Sequence, residues 1–159
     1  MNQETAINLG LLRDEYLMVQ EFYQDIDRRC FTIMGWSITV AVTAIGAGIV
    51  YAQSILLLVA SLAALTFWYL EASWRGLSYF MSHRILQIEE TIAGGTGGGL
   101  TPLQLYTEWE QEYRNAGRQT RKYFFKLQTA MPHFLIAFFG LALYLAVVRG
   151  WIELIPFSG

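Results

Sequence analysis

Apolar positions along this chain follow two alternating patterns. From Cys30 to Leu70 there are 41 consecutive residues without an Asp, Glu, Lys or Arg, and a second uncharged run extends from Leu127 to Val148. A helix rises about 1.5 Å per residue, and the hydrocarbon core of a bilayer is about 30 Å thick. The first run therefore has the length of two membrane crossings joined by almost no loop, and the second supplies a third. Outside these runs, apolar residues recur at steps of three and four, the period of an amphipathic helix. Leu9, Leu12, Tyr16, Val19, Tyr23, Ile26 and Cys30 form one stripe; Leu70, Trp74, Leu77, Met81, Ile85, Ile88 and Ile92 form another. Tyr106, Trp109, Tyr113, Ala116, Thr120, Tyr123 and Leu127 form a third.

These patterns predict one continuous helix from about Gln3 to Tyr51, a turn at Tyr51-Ala52-Gln53-Ser54, and a second helix from Ile55 to about Ile92. So short a connection makes the first two spans antiparallel neighbours. The run Gly94-Gly95-Thr96-Gly97-Gly98-Gly99 stops the second helix and forms a flexible link. A third helix opens at Thr101 as N-cap, with Pro102 at the first helical position and Gln104 completing a capping box. Its pattern leads without interruption into the third span, where Gly117 and Pro132 are the residues able to loosen or kink it. The predicted fold is an all-α integral membrane protein of three long antiparallel helices, each a transmembrane span extended into a cytoplasmic helical bundle. In segments, residues 1–29 are a cytoplasmic amphipathic helix, 30–52 and 53–74 the first two spans, and 75–126 a cytoplasmic helical hairpin with its Gly-rich turn at 94–99. Residues 127–149 are the third span, and 150–159 an external tail.

Charge fixes the expected orientation. Of the 11 Lys and Arg residues, ten lie before the first span or between the second and third, and only Arg149 follows the third. The positive-inside rule places the ten-residue side in the cytoplasm, so the N-terminus is inside and the C-terminus outside. Trp68, Tyr69 and Trp74 gather at the inner end of the second span, Tyr123, Phe124 and Phe125 at the start of the third, and Tyr51 and Trp151 on the opposite face. Amphipathic rings anchor spans at the headgroup level. The segment before the first span carries six acids between Glu4 and Asp27, unlike a cleavable signal, so the first span is expected to be retained. Composition agrees: 54% of residues are hydrophobic and 15% charged. A net charge of −2 gives no basic field for nucleic acid. Cys30, the only cysteine, has no partner for an intrachain disulfide and no second thiolate for zinc.

Candidate chemistry is sparse. The glycine run lacks the Lys and Ser/Thr that a phosphate loop requires, and Leu100-Thr101-Pro102 follows it instead. His83 and His133 stand outside any Glu-x-x-His or His-Glu-x-x-His pattern, so no metal and no cofactor is expected. Ser37, Ser54, Ser61, Ser73, Ser78 and Ser82 show no His–acid context along the chain, and no catalytic residue is identified. Glu71 is the one acid beside a span. A membrane carboxylate is a functional candidate by default, but Arg75 four residues on favours a structural ion pair. Gly35, Thr39, Thr43 and Ala47 recur at i+4 on the first span, with Ala60 and Ala64 on the second and Ala142 and Ala146 on the third. Small residues let helix backbones approach closely, either within the chain or as an oligomer or pore face. Arg114, Arg118, Arg121, Lys122 and Lys126 form a basic band just inside the third span, suited to anionic lipid headgroups or an anionic ligand.

An N-terminal cytoplasmic helix, a tight transmembrane hairpin and a helical cytoplasmic extension together resemble the SLATT family, small two-span membrane effectors of bacterial conflict systems. The resemblance covers about Leu11 to Ile92, including Phe67-Trp68-Tyr69-Leu70-Glu71 and Arg84-Ile85-Leu86-Gln87-Ile88-Glu89. The third span departs from the simplest two-span pattern. The resemblance implies a protein of the bacterial inner (plasma) membrane that permeabilises or damages the bilayer when a cytoplasmic partner signals. The residues themselves point to a non-enzymatic, self-associating membrane protein. Its partners are membrane lipids and either further copies or another protein met through the cytoplasmic helices. The alternative is an accessory or scaffold subunit of a larger membrane complex.

Overall fold

The computed structural model describes residues 3–94, 100–113 and 116–155, and every regular element among them is helical. They are α1 (Gln3–Val50), α2 (Ser54–Ala93), α3 (Leu105–Tyr113), α4 (Ala116–Phe124) and α5 (Leu127–Val148). Helices α1, α2 and α5 are long and apolar enough to cross a membrane. Helix α5 continues through Pro132.

The connection between α1 and α2 is three residues long. Gln53 N–H bonds the Gly48 carbonyl at 2.9 Å and Ala52 N–H bonds the Ile49 carbonyl at 3.3 Å, the paired bonds of a Schellman cap. Ala52 therefore takes the left-handed conformation, with φ at 53°. Gly48 is needed for space: a Cβ there would sit 3.3 Å from both the Gln53 carbonyl oxygen and the Leu57 side chain. The end of α5 repeats the motif with Gly150 at φ 70° in the left-handed position.

The third predicted helix is not continuous. Thr101 is not its N-cap; helical bonding begins with Glu108 N–H to the Gln104 carbonyl, and Leu103 sits at φ 62°, outside any helix. The capping motif loses to long-range partners, because the Thr101 carbonyl and the Leu103 amide both bond to buried charged side chains of α1 and α2. An interruption separates α4 from α5, where Lys126 is extended (φ −71°, ψ 129°). The Phe124 carbonyl, released from helical bonding, accepts the Trp68 indole N–H at 2.9 Å, and the Trp68 and Phe124 rings stack with centroids 4.1 Å apart. Arg114 lies outside the described residues, as does most of the glycine run (residues 95–99).

The chain forms two compact units: Met1–Arg29 with Trp74–Lys122, and Cys30–Ser73 with Tyr123–Gly159. In the first unit, α1 buries Leu12, Glu15, Val19 and Ile26, while α2 buries Gly76, Phe80, Arg84 and Ile88 at strict four-residue spacing. This α2 stripe shares only Ile88 with the predicted one. Trp74, Leu77, Met81 and Ile85 are only half-buried and Ile92 is exposed, because a glycine and an arginine hold core positions that apolar counting passes over. Gly76 lets α4 approach: a Cβ there would lie 3.1 Å from the Thr120 hydroxyl and 3.2 Å from its amide nitrogen. On the third predicted stripe, Tyr106 is exposed rather than buried.

In the second unit, α1 turns Cys30, Ile33, Ser37 and Ala41 inward, and α2 turns Leu57, Ala60, Ser61, Ala64 and Trp68 inward. Helix α5 meets them with Thr129, His133, Ala137 and Gly140. A Cβ on Gly140 would stand 2.5 Å from Ser61 Oγ and 3.2 Å from the Leu57 carbonyl, so α5 crosses α2 almost backbone to backbone. Close approach through small residues is how helices gain packing contacts where lipid removes the usual hydrophobic drive.

Candidate functional site

Among the described residues, two buried polar networks, one in each unit, hold the candidate chemistry. In the second unit, the His133 ring is fully buried between a hydroxyl from α1 and a carboxylate from α2. Ser37 Oγ lies 2.9 Å from His133 Nδ1, and His133 Nε2 lies 2.8 Å from Glu71 Oε2. Ser37 is 1% exposed, Glu71 and His133 not at all. With a neutral imidazole, the serine O–H donates to Nδ1 and the Nε2–H donates to the carboxylate; an imidazolium donates at both nitrogens, and the serine then accepts. Either arrangement satisfies all three groups, which apolar surroundings demand, since an unpaired polar group there costs several kcal/mol. The line from Ser37 to Glu71 thus joins all three apolar helices by side-chain hydrogen bonds. Thr129, one turn before His133 on α5, is also fully buried, and its hydroxyl has no partner among the described residues.

Serine, histidine and a carboxylate in hydrogen-bonded sequence have the connectivity of a hydrolytic triad. The surroundings do not match that chemistry. Ser37 lies in mid-helix, where neighbouring amides are committed to the helical ladder and cannot stabilise an oxyanion, and its hydroxyl is closed off from any acyl substrate. What the arrangement does well is fix the rotation and depth of three helices relative to one another.

In the first unit, Arg84 of α2 is the organising residue. Its Nε donates to Glu15 Oε1 at 2.8 Å, one terminal nitrogen lies 2.7 Å from the same oxygen, and the other donates to Glu108 Oε1 at 2.7 Å. The Thr101 carbonyl accepts a further bond at 3.2 Å, and Glu15 Oε2 accepts the Leu103 amide at 2.8 Å. The Arg84 and Glu15 side chains are fully buried and that of Glu108 is 30% exposed. Guanidinium suits this position because its five donors form a rigid fork that a single ammonium cannot imitate. The network clamps the start of α3 onto α1 and α2. Near it, the Tyr16 hydroxyl donates to Glu89 Oε1 at 3.0 Å. That bond, helped by partial burial and the neighbouring negative charge, holds the Tyr16 phenol above its ordinary range.

The predicted site residues fall in several places. Gly35, Thr39 and Thr43 are exposed and Ala47 is half-buried, all away from the inward face of α1, and Thr39 bonds the Gly35 carbonyl at 3.0 Å. Arg118, Arg121, Lys122 and Lys126 are exposed. Lys122 sits 5.7 Å over the Tyr79 ring and Lys126 5.1 Å over Tyr123. Arg75 lies 3.8 Å from Asp27, and Glu71 has His133 as a partner that helical spacing does not reveal. His83 is exposed and stacks on Tyr79. Among the described residues, no three His, Cys, Asp or Glu side chains converge as metal ligands.

Sequence reasoning missed Ser37, His133, Glu15, Arg84 and Glu108 as members of networks. The available signal was thin: an arginine in step with apolar residues on α2, a glutamate between two core positions of α1, and a histidine inside an uncharged run. No family model, no curated protein and no solved structure matches this chain.

Proposed function

We propose that this chain is a non-enzymatic membrane protein that crosses the bilayer three times, with its amino end in the cytoplasm, and self-associates through its spans under the control of its helical unit. The observation that carries the reading is the division of faces on α1. The face bearing Ile33, Ser37 and Ala41 is spent on the chain's own packing, while the small and hydroxyl residues Gly35, Thr39 and Thr43 stay outward. A Cβ on Gly35 would meet nothing within 4 Å. Small outward residues give a helix in lipid little contact with acyl chains and a close seat for another helix.

The sealed Ser37–His133–Glu71 line supports a structural role for the only serine–histidine–acid grouping among the described residues. Assembly on the outward face of α1 brings the Thr39 and Thr43 hydroxyls of several copies together, the polar lining that a pore-forming effector of this design requires. Mass measurement in mild detergent tests the reading. A homo-oligomer that dissociates when Gly35 and Thr39 are both changed to Leu is the expected result, and a wild-type monomer at all concentrations removes it. Flux from liposomes then decides whether the assembly conducts.

A further inference from the structure

The first unit carries two exposed faces of opposite sign that form no ion pair among the described residues. On α1, Asp14 and Glu21 are exposed, two turns apart, with Met18 (40% exposed) and Phe22 (49% exposed) beside them. Among the described residues neither carboxylate forms an ion pair, whereas Asp25, Asp27 and Glu15 are all paired. On α4, Arg118 and Arg121 are exposed, one turn apart, and likewise form no ion pair among the described residues. Thr120 faces α2, so these guanidinium groups lie away from the unit's interior.

We infer that the acidic, apolar flank of α1 in one copy docks on the basic face of α4 in a second copy of this chain. This inference rests on the self-association proposed above and assigns it a contact within the helical unit. Charge complementarity selects the occupant. Asp14 and Glu21 bracket an apolar ridge, and arginine stems cover such a ridge while their heads reach the flanking carboxylates. Phe22 offers a ring face to a guanidinium. Copies held in one bilayer meet in a common orientation and at raised effective concentration, so even modest exposed pairs act together. Two such contacts per pair close a two-fold dimer, and one contact per pair builds a ring or an open array, so the mass also reads how the faces are used.

The test is a charge swap on the full chain in neutral detergent, read by mass and by salt titration. Arg118→Glu with Arg121→Glu is expected to weaken association roughly tenfold, and so is Asp14→Lys with Glu21→Lys. The four-fold variant carrying both changes restores it. Helical circular dichroism of each variant checks that the exposed substitutions leave the fold in place. An oligomer indifferent to both reversals, or one that the combined swap fails to rescue, overturns this contact while leaving self-association standing. A wild-type monomer overturns both. If the α4 reversal instead changes only the amount of co-purified anionic phospholipid and not the mass, the basic face is a lipid contact and the inference falls.

Discussion

The two polar networks solve the burial of charge in different ways. In the first unit a permanently charged guanidinium is sunk among two carboxylates, a carbonyl and a carboxylate-bound amide. In the second unit the groups are a hydroxyl, an imidazole and a carboxylate, of which the imidazole can be neutral. A fixed cation is tolerated only where enough acceptors surround it, because desolvating one ion alone costs several kcal/mol. Long apolar helices have few backbone acceptors to spare, since each carbonyl is already in the helical ladder. A histidine line needs only one hydrogen bond at each end. The first unit thus uses polar groups to clamp an irregular segment, and the second uses them to register regular helices.

Arg84→Ala is the change with the largest expected effect. It leaves Glu15 buried without its cation, and breaking a buried pair in this way costs about 3–5 kcal/mol. Hydrogen exchange should rise through Leu105–Tyr113 and around Glu15, with the apolar helices still protected. Arg84→Lys recovers only part of the loss, because one ammonium cannot serve Glu15, Glu108 and Thr101 together. Equal loss of protection in both units would break the comparison, since it would make the clamp a property of the whole chain.

His133→Leu is expected to cost less, about 1–3 kcal/mol, as the penalty of leaving Ser37 and Glu71 each without that partner. Interhelical hydrogen bonds in membranes average under about 1 kcal/mol each, which sets the lower end. Glu71→Gln keeps an acceptor for Nε2–H and should cost less again. Thermal unfolding in detergent orders the three variants, and a His133→Leu protein as damaged as Arg84→Ala would show that the line carries more than registration.

The contrast also explains what could be read from the sequence. The all-helical class and the three apolar helices were legible because uncharged length is a one-dimensional property, and α1, α2 and α5 each display it. The clamp was illegible because Arg84 looks like a surface charge until α1 and α3 supply its acceptors, which come from residues 69 and 24 positions away. The same contacts defeated the Thr101 cap, a sound local signal overruled by Glu15 and Arg84. On α1 the heptad found Leu12, Val19 and Ile26, yet Tyr23 on the same stripe remains 39% exposed. The serine–histidine–glutamate line joins residues 96 and 62 positions apart, a separation that no local pattern encodes.

One sequence choice runs against local preference and offers a smaller test within the second unit. Ala52 and Gly150 occupy equivalent left-handed positions in two Schellman caps, but only Gly150 lacks a Cβ. Ala52→Gly relieves about 1 kcal/mol of conformational strain and is expected to raise the unfolding midpoint slightly, net of the added freedom in the unfolded chain. Gly150→Ala should do the reverse. If Ala52→Gly lowered the midpoint, the turn would owe its shape to contacts of the Ala52 methyl rather than to backbone bonding.

The smallest expected effect lies at the edge of the first unit. The Tyr16 hydroxyl donates to Glu89, which raises its phenol above the ordinary value near 10.0. The folded state therefore holds the phenolic proton at pH values where the unfolded chain has lost it. A proton bound more tightly in the folded state stabilises below the unfolded pKa and ceases to do so as pH climbs through the folded one. The Tyr16 contribution to stability should accordingly be constant through neutrality and fade above about pH 10, and Tyr16→Phe should remove that alkaline loss while changing little at pH 7. Ultraviolet titration of tyrosinate against unfolding midpoints at several alkaline pH values measures both sides. Because Glu89 shares α2 with Arg84, a Tyr16→Phe protein that also lost protection across α3 at neutral pH would extend the clamp outward to this pair, whereas an alkaline effect alone keeps the buried guanidinium as the element that holds α3 in place.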